Sequence, residues 1–135
     1  MSTANPAIST IWRNGIIAAV VAAALNAILY QVGAATGNMP ADFITPLGYP
    51  ITIAPMVIMS IVPLLLGTLA YTILTRFVKN PLANRIFVGV SIVLLILFAF
   101  SPLQLVNPPS GMVIILEVAH LIAGGALIYA LTRVE

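Results

Sequence analysis

The feature that most constrains this chain is its last apolar run, Met112 to Leu131, because two ionisable side chains lie inside it. They occur together in the segment Glu117-Val-Ala-His120. A run of about 20 apolar residues is long enough for a helix to cross the hydrocarbon layer of a membrane. Three earlier runs of similar length contain no Asp, Glu, Lys, Arg or His. We therefore expect a membrane protein with one unusual polar position.

The composition also favours lipid as the surrounding solvent. Only 6% of the 135 residues are charged and 61% are hydrophobic, whereas soluble domains carry about 25% charged residues. So few charges could not cover a water-exposed surface. The absence of cysteine excludes disulfides, thiolate metal sites and cysteine nucleophiles.

We predict an all-α membrane protein with four transmembrane helices in an up-down-up-down bundle, forming a single domain over residues 1–135. The expected spans are about 15–32, 53–74, 86–105 and 112–131. Short connections between them make neighbouring helices antiparallel, and Pro63 predicts a kink in the second span. The first run has an alternative interpretation as a signal peptide cleaved near Ala22-Ala23-Ala24. It is longer than such apolar regions usually are, so we favour a span.

The basic residues predict the orientation in the membrane. In a four-span bundle all five fall on one side, and the only charged residue in the connections on the opposite side is Asp42. The five basic residues are Arg13, Arg76, Lys79, Arg85 and Arg133. Because short loops rich in Lys and Arg stay in the cytoplasm, both termini should be cytoplasmic. Residues 33–52 and 107–111 should then lie outside. This placement explains the pI of about 9.4 without a nucleic-acid partner.

A layer of polar side chains is predicted in the outer half of the bundle. A rise of 1.5 Å per residue places its members roughly 6 to 12 Å from the outer ends of their spans. Intramembrane ionisable residues are candidates for ligand contacts or a proton relay, and we extend this expectation to the whole layer. The members of this layer are Asn26, Ser60, Ser101, Glu117 and His120, and Tyr30 is a further candidate because it shares a face of the first span with Asn26.

Several roles are open for Glu117 and His120, which share a helix face because they are three residues apart. They can form a buried hydrogen-bonded pair with each other or with Asn26 and Tyr30, a proton or ion relay, a polar substrate pocket, or a partner contact. Both side chains should face the bundle interior. Desolvation also allows a neutral Glu117. For Asn26 a structural hydrogen bond between helices is favoured over a ligand contact.

We expect no metal and no cofactor. Glu-x-x-His is a ligand spacing of di-iron bundles, but those need more carboxylates and a second histidine than this chain offers. A haem held by His120 alone is a further alternative. A serine hydrolase would need Ser60 or Ser101 to approach His120. No catalytic constellation is evident, so we expect a protein that is not an enzyme.

Small residues on the first and last spans predict that these two helices touch. They recur about four residues apart, which lets helix backbones approach closely in lipid. The first span has Gly15, Ala18, Ala19, Ala22, Ala23 and Ala27; the last has Ala119, Ala123, Gly124, Gly125 and Ala126.

The order of motifs resembles a known family. A basic start leads into Asn26-Ala-Ile-Leu-Tyr30, a Pro/Gly-rich loop and Lys79-Asn-Pro81; Ser101-Pro102 and His120 follow. This order is similar to that of small four-span bacterial membrane proteins classed as domain of unknown function 6069. The resemblance covers about residues 12–131. It implies a bacterial cytoplasmic membrane and brings no activity with it.

Our first hypothesis for function is a structural or accessory subunit that associates with itself or with a larger membrane complex. The small size and the small-residue helix faces favour it, and Phe98 and Phe100 are candidates for subunit or cofactor contacts. The alternative is a small outward-opening transporter or ligand-binding protein that uses the polar layer. The expected partners are the lipid bilayer and other membrane subunits or further copies of the chain.

Overall fold

The computed structural model describes residues 4–133, and its long segments are all helical. The helices are α1 (Ile8–Ala35), α2 (Ile53–Phe77), α3 (Leu82–Ala99) and α4 (Ser110–Thr132), with a short 3-10 helix, Pro102–Gln104, before the last. All four are long and apolar enough to cross a membrane, the third together with the 3-10 helix. The all-α prediction with four helices of spanning length is therefore confirmed, and the chain is a helical membrane protein.

Two helix boundaries differ from the expected spans by more than four residues. The first helix begins at Ile8 instead of near Gly15, because its polar first turns can extend beyond the hydrocarbon layer without loss of helix hydrogen bonds. The third ends at Ala99 instead of near residue 105. Pro102 has no N–H to donate, and its ring would clash with the carbonyl four residues earlier. The chain continues as a 3-10 helix that starts at this proline.

The second helix runs without a break through Pro63. The proline removes the hydrogen bond that residue 63 would donate to the carbonyl of Met59. Three hydroxyl side chains of α2 bond back to carbonyls four residues earlier in the same helix. They are Ser60 to Met56 (2.7 Å), Thr68 to Leu64 (2.8 Å) and Thr72 to Thr68 (2.8 Å). These bonds satisfy the hydroxyls within the helix itself.

Small residues bring α1 close to its neighbours, and the predicted contact between the first and last helices is confirmed. A Cβ atom added at Gly15 would lie 2.1 Å from Thr68 Oγ1 on α2. One added at Gly33 would lie 2.6 Å from Ile115 Cδ1 on α4. A side chain at Gly15 would require the buried Thr68 to move, and one at Gly33 would require the flexible end of Ile115 to shift. The two glycines bring α1 against α2 at one end and against α4 at the other.

Asparagine side chains tie the helix ends together where the basic residues are found. Asn5 donates to the carbonyls of Thr75 and Val78. Asn14 donates to the carbonyl of Ala130 over 3.2 Å, and Asn84 to that of Thr132 over 3.1 Å. These contacts bring together the start of α1, the ends of α2 and α4 and the start of α3. All five basic residues are exposed around this end, which we call the basic end.

Buried apolar side chains form two clusters along the bundle. The cluster that reaches the basic end consists of Ile11, Ala18, Ala19, Ala22, Leu64, Tyr71, Phe87, Leu127 and Leu131. The cluster at the opposite end consists of Tyr30, Met39, Met56, Met112 and Ala119. The candidate polar layer lies beside this second cluster.

Candidate functional site: a polar cleft away from the basic end

Asn26 is the polar residue that joins the most helices in this half of the molecule. It lies on α1 and only 2% of its surface is exposed. Its Nδ2 donates to Ser60 Oγ on α2 over 2.8 Å and to the carbonyl of Ala119 on α4 over 3.2 Å. The expected hydrogen bond between helices is therefore present, and it links three of them.

These contacts determine which way the amide of Asn26 points. The carbonyl of Ala119 can only accept a hydrogen bond, so the nitrogen must face it. The hydroxyl hydrogen of Ser60 is used on the carbonyl of Met56, so its oxygen is free to accept. Both hydrogen bonds use the nitrogen, so Asn26 Oδ1 is the other polar atom of the amide. It is buried and has no hydrogen-bond partner among residues 4–133.

His120 also has a buried polar atom without a hydrogen-bond partner among residues 4–133. Its ring stacks on Phe98 of α3, with centroids 6.1 Å apart and planes inclined by 26°. The side chain is half-buried, but its Nδ1 is fully buried and lacks a partner within the described part of the chain. The ring is thus held against α3, and its Nδ1 is left without a hydrogen bond to residues 4–133.

Asn26 and His120 both line one cleft of about 350 Å³. Ser60 and Ser101 line it as well, so four of the six predicted site residues meet there. Each main helix, or the segment after it, contributes to the walls, which are otherwise mostly apolar. The apolar lining consists of Pro46, Leu47, Ile51, Pro55, Met56, Met59, Pro102, Leu105, Leu116, Ala119 and Ala123. This volume is near the lower end of the range of about 300–1,000 Å³ found for small-molecule sites.

Part of the connection between α1 and α2 forms one wall of the cleft, which was not expected from the sequence. The wall segment runs from Thr45 to Ile51. Thr45 Oγ1 donates to the carbonyl of Tyr49 over 2.9 Å, and Gly48 has a φ of +83° that favours glycine. Gln104 was also missed, although it lines the cleft beside Ser101. Only the proline and glycine content of the connection indicated a turn here.

Glu117 and Tyr30 lie outside the lining of the cleft. Glu117 is half-buried on α4, one turn before His120, and makes no hydrogen bond or ion pair with any residue between 4 and 133. The pairing with His120, Asn26 or Tyr30, one of the alternatives left open above, is not formed. Tyr30 is buried among Met39 and other members of the apolar cluster. In this half of the bundle the hydrogen bond between α1 and α4 is made by Asn26 instead.

The lining of the cleft is uncharged apart from His120 and mostly apolar. No Asp, Glu, Lys or Arg is among its lining residues. The hydroxyl of Ser60 donates to a backbone carbonyl, so this serine is not arranged as a nucleophile with His120 as its base. Within residues 4–133 no three His, Cys, Asp or Glu side chains are close enough to hold a metal ion. What the cleft offers is an apolar wall with a few polar atoms.

Comparison with known proteins gives a family but no activity. No curated protein and no solved structure matches the chain. The model of a family of unknown function, DUF6069, matches residues 6–135, almost the whole sequence. The resemblance in the order of motifs is thereby confirmed, and the chain belongs to the family of unknown function DUF6069.

Proposed function

We propose that the protein is a non-enzymatic integral membrane protein that binds a small molecule in the cleft between its helices. The observation that carries this proposal is that two side chains lining one cleft, Asn26 and His120, each have a buried polar atom, Oδ1 and Nδ1, without a hydrogen-bond partner among residues 4–133. Leaving a buried polar atom unpaired costs about 1–3 kcal/mol. A ligand that reaches both atoms recovers this free energy, which gives the cleft an affinity for polar groups in an apolar setting.

The topology that we propose places the cleft in the outer half of a bacterial cytoplasmic membrane. The bundle is up-down-up-down, with both termini at the cytoplasmic side. The support is the exposure of all five basic residues around one end of the bundle, because such residues remain in the cytoplasm and contact anionic headgroups. The cleft lies towards the opposite end, where Thr45 to Ile51 form part of its wall.

Native mass spectrometry of the gently extracted protein, expressed at its natural level, tests the proposal. A bound molecule should appear as a discrete added mass. Met59→Trp should remove this mass, because Met59 lines the cleft while its own side chain is 67% exposed and can be enlarged without disturbing the core. Leu66→Trp is the matched control, since Leu66 is two turns further along α2, 60% exposed and outside the cleft.

Two results would contradict ligand binding in the cleft. One is a wild-type particle without any added mass when lipids and detergent have been accounted for. The other is an added mass that both tryptophan variants retain equally, because the bound molecule would then lie elsewhere on the protein.

An accessory or self-associating role is the second candidate, and two exposed glycines favour it. Gly89 on α3 and Gly125 on α4 have no other atoms within 4 Å of an added Cβ position. Glycine inside a helix costs about 1 kcal/mol relative to alanine, and small residues are common where membrane helices pack closely. A second helix against these positions would use the space. The same mass measurement distinguishes the candidates, because a larger assembly with other subunits or copies supports the accessory role.

A further inference from the structure

The unpaired atom of Asn26 limits the chemistry of the ligand. Because Nδ2 faces the carbonyl of Ala119, the free atom is the oxygen. An amide oxygen only accepts hydrogen bonds. A ligand group that pairs with it must therefore be a donor, which excludes ketones, ethers and esters as the group at this position.

The cleft also limits the charge of the ligand. Its lining contains no Asp, Glu, Lys or Arg, and its polar side chains other than His120 are neutral amides and hydroxyls. An ammonium or phosphate group would lose its hydration there without gaining a charged partner, which is costly in an apolar site. The donor is therefore expected on an uncharged group.

The second unpaired atom, His120 Nδ1, selects among uncharged donors. A neutral imidazole has one nitrogen that donates and one that accepts, so Nδ1 can take either role. A hydroxyl group both donates and accepts. It can donate to Asn26 Oδ1 and still satisfy either form of the histidine, directly or through a second hydroxyl of the same molecule.

We propose that the cleft binds an uncharged amphiphile through a hydroxyl group that donates a hydrogen bond to Asn26 Oδ1, with His120 Nδ1 as the second polar contact. The apolar body of the molecule lies against Met56, Leu105 and Leu116, which line the same cleft. This inference rests on the proposed function and specifies the ligand class, namely membrane-soluble alcohols or phenols.

A pair of probes tests the hydroxyl without changing the protein. Decan-1-ol has the donor, and 1-methoxydecane replaces it by an ether of similar shape. His120 is the only histidine in the sequence, so selective ¹⁵N labelling of histidine reports on one site. In nanodiscs, decan-1-ol should shift the Nδ1 resonance to saturation. The ether should bind roughly tenfold more weakly, the effect of one hydrogen bond to a buried group.

Variants of the protein locate the binding and test the charge limit. Met59→Trp should abolish the shift caused by decan-1-ol, because it fills the cleft. Glu117→Gln should leave the affinity unchanged, since Glu117 is outside the lining. Decyl sulfate, which has the same chain length with a permanent charge, should bind at least tenfold more weakly than the alcohol because it has no counter-charge in the cleft.

The outcomes separate this inference from the proposed function. The concentration of each probe is expressed relative to lipid. Equal affinities for the alcohol and the ether then overturn the hydroxyl proposal and leave ligand binding in the cleft intact. Tighter binding of decyl sulfate overturns the claim of an uncharged ligand. If neither probe shifts the resonance although the native particle carries an added mass, the hydroxyl class is wrong. If the native particle also carries nothing, the proposed function fails as well.

Discussion

Asn26 Nδ2 lies 2.8 Å from Ser60 Oγ, and this contact is the buried polar bridge between α1 and α2. The hydroxyl of Ser60 in turn donates a hydrogen bond to the carbonyl of Met56, 2.7 Å away. The two bonds form a short directional chain from amide to hydroxyl to backbone. The same bridge fixes the orientation of the Asn26 amide, whose oxygen has no partner among residues 4–133, so the proposed ligand contact depends on the same two residues as the packing.

Ser60→Ala removes the acceptor of this bridge. Hydrogen bonds between membrane helices contribute about 0.6 kcal/mol on average and up to about 1.7, and Ser60 is 2% exposed. We predict that the variant lowers the free energy of unfolding, measured by SDS titration in mixed micelles, by about 1 kcal/mol. Ser101→Ala is the control, because Ser101 is exposed and should have no measurable effect. Equal stability of both variants would refute the role assigned to the bridge.

Gly15→Ala tests the close approach of α1 and α2. The added Cβ would meet three atoms of Thr68 at 2.1 to 2.8 Å. Thr68 is fully buried and its hydroxyl is bonded to the carbonyl of Leu64, so it has little freedom to move. Overpacking of this kind costs about 1–3 kcal/mol.

The matched control is Gly89→Ala. Position 89 is also inside a helix, but no atom lies within 4 Å of the added Cβ. Here alanine should raise the unfolding free energy by up to about 1 kcal/mol through helix propensity. The two variants should therefore change stability in opposite directions in the same SDS titration. A loss at position 89 as large as that at position 15 would instead indicate that α3 packs against a partner there.

The helices and the depth of the polar layer could be predicted from the sequence because both depend on distance along one helix. Long apolar runs determine the spans, and the rise per residue brings Asn26, Ser60, Ser101 and His120 to a common depth. These four do line one cleft. Helix ends were predicted less well, since the beginning at Ile8 depends on where lipid gives way to water.

The rotation of α4 about its own axis could not be predicted. Spacing alone places Glu117 and His120 on one face, yet only His120 lines the cleft. Contacts with neighbouring helices set the rotation: Gly124 packs against Leu95 of α3, and Ala119 receives the hydrogen bond from Asn26. The wall from Thr45 to Ile51 was missed for a related reason, because a connection without periodicity gives no signal of what it covers.

The proposed topology can be tested with introduced cysteines, because the natural sequence has none. Asp42→Cys lies in the connection between α1 and α2, and Lys79→Cys lies in the connection between α2 and α3; both positions are exposed. We predict that a membrane-impermeant maleimide added to intact cells, reaching the outer surface of the cytoplasmic membrane, labels position 42. Position 79 should react only after permeabilisation. The reverse pattern would place the cleft on the cytoplasmic side and contradict the positive-inside assignment.

Glu117→Gln decides whether this carboxyl group has a structural partner. Removing one side chain of a buried ion pair destabilises a protein by about 3–5 kcal/mol, because the remaining charge is left buried without its partner. Glu117 makes no such contact with residues 4–133, so we predict a change of less than about 0.5 kcal/mol in unfolding free energy, as at positions without special contacts.

This variant also separates ligand binding from transport. If Glu117 has no structural partner, a loss of function in Glu117→Gln cannot be attributed to unfolding. Retention of the bound mass together with unchanged stability is expected if the protein only holds its ligand, because His120, not Glu117, lines the cleft. A loss of pH-dependent uptake in reconstituted vesicles, with binding and stability intact, would instead assign Glu117 to a proton relay and support the transport alternative.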